Sequence, residues 1–174
     1  MKQYQSILLF CLLLLNSTVF SQYNETDAVI KRPQNSISVG FGDASLISLS
    51  YERLFIIHDN LFLAARLGIG YNEEFQLCLF GPCENPPKTF TTFPHSVTVN
   101  FGKNKHLFEL GLGGAVIEGN TSDPYLLYPI IGYRLQPLKA EKVNLRLYLA
   151  LPISSIETED FLFIPAGLSV GIIF

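Results

Sequence analysis

Tryptophan is missing, methionine occurs once, and there are only three cysteines. Charged residues are scarce: 16% of the 174, where an ordinary soluble domain carries about 25%. The formal net charge of -3 supplies no basic stripe for a nucleic-acid backbone. Beyond residue 22 no apolar run reaches the roughly 18 residues of a membrane-spanning helix, and apolar spacing of helical period is hard to find. Hydrophobic residues nevertheless make up 48% of the chain and mean hydropathy is +0.29. The 14 Phe and 8 Tyr need either a large core or a membrane interface. The length suits one domain.

The first residues form a segment of their own. Lys2 precedes an unbroken apolar run from Ile7 to Leu15, followed by Val19-Phe20-Ser21 and then Gln22. A charged start, a short apolar centre and a small residue before the cut are the plan of a secretory signal peptide. Cleavage is expected after Ser21, giving a signal peptide over 1–21, a short polar tail over 22–34 and a domain over 35–174. A retained anchor is the alternative, but the run is far shorter than the ~20 residues that span a bilayer. Cys11 lies inside the run, which argues against a lipoprotein. Cys78 and Cys83 remain, in a stretch with Gly81, Pro82, Pro86 and Pro87. In an oxidising compartment such a pair closes a small loop as a disulfide. Free thiols are the alternative, and a zinc site lacks neighbouring His.

Period 2 recurs along the rest of the chain. Ile37, Val39 and Phe41 alternate with Ser and Gly, and Ile47, Leu49 and Tyr51 with Ser48, Ser50 and Glu52. Leu63, Ala65, Leu67 and Ile69 oppose Ala64, Arg66, Gly68 and Gly70; Val97, Val99 and Phe101 oppose Ser96, Thr98 and Asn100. Phe108, Leu110 and Leu112 oppose Glu109, Gly111 and Gly113, and a noisier stretch sets Leu127, Ile131 and Tyr133 against Tyr128, Ile130, Gly132 and Arg134. Val143, Leu145, Leu147 and Leu149 oppose Asn144, Arg146, Tyr148 and Ala150; Leu168, Val170 and Ile172 oppose Gly167, Ser169 and Gly171. Eight such segments, most near the ~9–11 residues of a tilted membrane strand, predict an all-β fold. The expected architecture is an eight-stranded antiparallel up-and-down transmembrane β-barrel.

Alternation alone does not say which face is inside, since a soluble lipocalin-like barrel shows the same pattern inverted. Volume favours apolar-out: an eight-stranded barrel has room only for side chains, and the polar faces are rich in Gly, Ser and Ala. Glu52, Arg66, Glu109, Arg134 and Arg146 all fall on those faces, where they would neutralise one another as a lumen charge cluster. An Arg facing lipid costs ~2–4 kcal/mol near the midplane. Connections agree: those near Asp59-Asn60, Asn104-Lys105 and Pro137 are short. The Glu73–Lys88, Glu118–Pro124 and Ser154–Asp160 connections are longer, and Asp43-Ala44-Ser45 breaks the trend.

With the alternating Leu168, Val170, Ile172 and Phe174, and with Tyr51-Glu52-Arg53 and Gly68-Ile69-Gly70-Tyr71, the chain resembles the small outer-membrane barrels of Gram-negative bacteria. That group holds the OmpA membrane domain and OmpX types, and the likeness extends to barrels of Bacteroidetes. The resemblance implies that Leu168, Val170, Ile172 and Phe174 are the signal read by the barrel-assembly machinery. It also implies an outer-membrane location, with lipid as the surrounding partner.

Catalysis is weighed because two lipid A-modifying enzymes are barrels of this size. His95 and Ser96 are adjacent, so in a strand they point to opposite faces and make no dyad. His58 and His106 fall in short turns. Glu52 and Glu109 have the chemistry of an acid–base pair but a lumen too narrow for sugar. Gly111-Leu112-Gly113-Gly114 lacks the helix a phosphate loop needs. Tyr51, Tyr71, Tyr125, Tyr133, Phe161 and Phe163 are expected as an aromatic girdle. The expectation is a structural or surface-interaction barrel with no wide pore, no cofactor and no nucleic-acid partner, meeting an unidentified partner through residues 73–88. A lipid A-modifying enzyme and a soluble binder of an apolar ligand are the alternatives.

Overall fold

The computed structural model describes residues 33–74, 87–119, 124–137, 142–153 and 162–174. The expected signal peptide, most of the tail, and Cys78 and Cys83 lie outside those residues. The strands are β1 (Asn35–Asp43), β2 (Ser45–His58), β3 (Leu61–Glu73), β4 (Thr89–Lys103), β5 (His106–Glu118), β6 (Tyr125–Leu135), β7 (Val143–Ala150) and β8 (Ile164–Ile173). Each pairs antiparallel with the next, and β1 with β8, so the sheet closes into an up-and-down barrel. Closure removes both edges, which a sheet of this apolarity would otherwise expose to pairing with other chains. Reciprocal bonds between Asn35 and Phe174, 3.3 and 2.9 Å, fasten the seam at one end.

Local chemistry sets the turns. Asn104 adopts φ 56°, a left-handed conformation that Asn tolerates better than most side chains, and this lets β4 reverse into β5 within Asn104-Lys105. At the opposite end β1 turns into β2 over a register shift after Gly40, with Gly42 at φ 103°. A side chain at Gly42 would also strike the Ala166 backbone on β8. The Asp59-Asn60 and Asn104-Lys105 turns and the connection after Leu135 share the end that holds Asn35 and Phe174. The two longest connections, after Glu73 and Ala150, lie at the other, with those after Asp43 and Glu118; the connection after Leu135 is longer than the one after Glu118, against the expected trend.

The apolar stripes point outward. Ile37, Val39, Leu49, Leu67, Val97, Leu112, Leu147, Val170 and Ile172 are exposed, while Ser38, Ser50, Glu52, Thr98, Glu109, Arg146 and Ser169 beside them are buried. Besides the expected small and charged residues, the interior holds large apolar ones gathered at its two ends. At the long-connection end Phe90, Ile117, Leu126, Tyr128, Ile130 and Tyr148 form a buried apolar cluster with Phe163 packed on it. At the short-turn end Leu54, Phe62, Ala64 and Leu107 form a second. The charges lie between these two stoppers.

Tyr148 has room because Gly167 faces it across the β7–β8 ladder: a Cβ at Gly167 would overlap the phenol ring. Gly167→Val should therefore lower stability by about 1–3 kcal/mol through overpacking. A urea titration of the folded barrel, read by tyrosine fluorescence, checks this; an unchanged midpoint refutes it.

Candidate functional site

The lumen cluster is built from strand middles. Glu52 on β2 stands opposite Arg66 in the β2–β3 ladder, and Arg134 on β6 stands opposite Arg146 on β7. Two guanidiniums face to face repel, so this pairing requires carboxylates from elsewhere. Arg134 grips Glu52 as a two-pronged fork, Nη1 to Oε1 at 2.5 Å and Nη2 to Oε2 at 2.7 Å. Nη2 also approaches Glu109 at 3.4 Å. Arg146 donates from Nε to both oxygens of Glu109, at 2.8 and 2.7 Å, and its guanidinium lies 4.2 Å from the Tyr148 ring centroid. The result is a chain Glu52–Arg134–Glu109–Arg146 across the barrel. Arg66 donates from Nη1 to Ser169 Oγ on β8 at 3.2 Å. Arg134 is 1% exposed and Glu109 0%. Charges this deep are tolerated only because they are paired and hydrogen-bonded.

The remaining buried polar groups tie strands and connections together. Asn72 donates to the carbonyls of Ala44 and Leu162, at 3.0 and 2.8 Å, linking the β1–β2 turn to the chain entering β8. Ser45 and Thr92 hydroxyls meet at 2.7 Å.

On the outer wall His95 faces outward while Ser96 faces inward, so the two are not a dyad. His95 Nε2 lies 3.0 Å from the Tyr125 hydroxyl, and the two rings stack. His106 Nδ1 meets the Tyr133 hydroxyl at 2.5 Å. Ala65 and Gly114 leave this wall thin, producing an outward trough of about 440 Å³ lined by Leu67, His95, Val97, Leu112, Tyr125 and Leu127, among others. Tyr71, Tyr125 and Tyr133 stand outward near strand ends. Tyr51 sits mid-strand, its hydroxyl donating to Asn35 at 2.8 Å, and Phe163 packs inward, edge-on to Tyr128. Phe163 departs from the expected girdle, and Phe161 lies outside the described residues. Leu168, Val170, Ile172 and Phe174 are all outward and exposed.

Among the described residues no group of His, Cys, Asp and Glu could hold a metal ion. The partner roles of Ser169 and Tyr148 in the cluster carried no signal in the sequence, because strand register decides them. Comparison with protein-family models, curated proteins and solved structures finds no match to this chain.

Proposed function

We propose that the chain, once freed of its N-terminal segment, is an integral outer-membrane protein with a structural or surface-interaction role and no wide pore. One observation carries this reading: an eight-stranded closed barrel whose outward face is mostly exposed Leu, Ile, Val, Phe and Tyr while Glu52, Arg66, Glu109, Arg134 and Arg146 are inside; Arg53 faces outward, opposite Asn35 at the barrel end. Leu147 is 46% and Ile172 61% exposed, and both sit beside buried charge or small polar residues. Water disfavours such a surface, since monomeric soluble proteins rarely show large contiguous apolar patches. A bilayer favours it, and charges hidden in the lumen avoid lipid. The apolar stoppers above and below the ion cluster support a plugged interior.

On this reading the end bearing the long connections faces outside the cell, and residues 73–88 meet the environment. Leu168, Val170, Ile172 and Phe174 give β8 the face that the assembly machinery takes up. Fractionation of the producing cells tests the proposal. The protein is expected in the outer-membrane fraction, migrating faster on a detergent gel when unheated than when boiled. Recovery as a soluble periplasmic protein would falsify it. Lipid A acyl patterns compared with and without the gene are expected to be identical; a changed pattern overturns the non-enzymatic role.

A further inference from the structure

We propose that the outer wall seats one anionic phospholipid, its phosphate on Arg53 and one acyl chain in the trough that leads from Arg53 to Tyr125. This rests on the proposed placement of the wall in lipid. The trough, of about 440 Å³, crosses five neighbouring strands: Arg53 lies on β2, Ala65 on β3, Val97 on β4, Leu112 on β5 and Tyr125 on β6. In the ladders Arg53 stands opposite Ala65, Ala65 opposite Val97, and Val97 opposite Leu112. Four strand spacings of about 4.8 Å carry it roughly 19 Å. That exceeds the ~15 Å half-thickness of a bilayer's hydrocarbon core, the depth one acyl chain fills. Arg53 lies beside Asn35 at the short-turn end and Tyr125 opens β6 at the long-connection end, so the trough climbs the wall obliquely.

The two ends of the trough differ in what they need. Arg53 is partly buried, and its guanidinium lies 5.8 Å from the Phe55 ring centroid. Among the described residues no carboxylate is bonded to it. The Asn35 side-chain oxygen opposite is taken by the Tyr51 hydroxyl. A guanidinium on a lipid-facing wall calls for an anion, and a phosphate matches its fork. At the far end the polar groups are already met. His95 Nε2 lies 3.0 Å from the Tyr125 hydroxyl, and His95 Nδ1 lies 3.2 Å from the Phe93 carbonyl oxygen. Between the ends the lining is apolar, with Ala65, Leu67, Val97, Leu112 and Leu127. A cation followed by an apolar run matches the head and one chain of a single phospholipid. Free phosphate would leave the trough uncovered, and a neutral chain would leave Arg53 without its anion. A net-anionic headgroup is favoured over a zwitterionic one, whose own ammonium competes for the phosphate.

The test titrates the purified barrel, in detergent, with phosphatidylglycerol or phosphatidylcholine of identical chains and counts bound lipid by native mass spectrometry. One phosphatidylglycerol per barrel is expected, held about fivefold more tightly than phosphatidylcholine, the effect of one cation on an anionic headgroup. Arg53→Gln leaves the lumen ion pairs untouched and should bring the two lipids within twofold of each other. Ala65→Phe fills the trough beside Arg53 from the outward face and should weaken phosphatidylglycerol binding several-fold with Arg53 still present. Equal affinities in the unaltered barrel, a preference that survives Arg53→Gln, or binding unchanged in Ala65→Phe overturns the site. A lipid-free dimer that Ala65→Phe dissociates overturns it too, by giving the trough to a second copy of the chain. Recovery of the barrel as a soluble protein without detergent removes the lipid-facing wall itself, whereas a detergent-extracted barrel that shows no preference removes this site alone.

Discussion

Glu109→Leu should destabilise the folded barrel by about 3–5 kcal/mol, the cost of leaving a buried charge without its counter-ion. Glu109 is the hinge of the cluster: it takes both bonds from Arg146 Nε and a third from Arg134. Removing it strands Arg146 and leaves Arg134 facing Arg146 directly across β6 and β7. Glu52→Leu should cost less of the network, since Arg134 retains Glu109 at 3.4 Å. The double variant Glu109→Leu with Arg146→Met should recover most of the loss, because a pair exchanged for apolar residues of similar volume is often neutral. Urea midpoints of the four proteins form the measurement. A Glu109→Leu loss under 1 kcal/mol, or a double variant no better than the single, would show that the pairing does not hold the lumen together.

Leu147→Arg should cost about 2–4 kcal/mol of insertion free energy and sharply reduce the folded fraction in bilayers. Leu147 lies in the middle of β7, faces outward and stands opposite Leu168 and Tyr133. The same substitution distinguishes the two media. On a water-facing wall an exposed Leu changed to Arg shifts stability by no more than about 0.5 kcal/mol. Folding yield into phospholipid vesicles, compared with Leu147→Ile, reads the difference. Undiminished folding of Leu147→Arg would remove the ground for placing this wall in lipid.

Much of the barrel is legible in the chain because strands whose two faces meet different surroundings write a period of two. β2, β3, β5 and β8 show it cleanly: Leu49 and Tyr51 exposed against buried Ser50 and Glu52, Leu168 and Val170 exposed against Ser169. The stretch that reads poorly is β6. There Leu126, Tyr128 and Ile130 point into the apolar stopper, while Leu127 and Ile131 point out. With apolar residues on both faces the alternation vanishes, so the stopper itself cannot be foreseen. Phe163 is misjudged for a related reason. An aromatic near a strand end suits an interface and a lumen plug equally, and only the position of Tyr128 decides.

Local alternation is enough to give the strand count, the division of each strand into two faces and the confinement of Glu52, Arg66, Glu109, Arg134 and Arg146 to one side of the sheet. Which carboxylate meets which guanidinium, and that apolar side chains close the lumen at both ends, is visible only in the closed barrel. Those facts depend on how far each strand is staggered against its neighbour around a closed ring. Stagger is set by all eight ladders together, so no single stretch of residues encodes it.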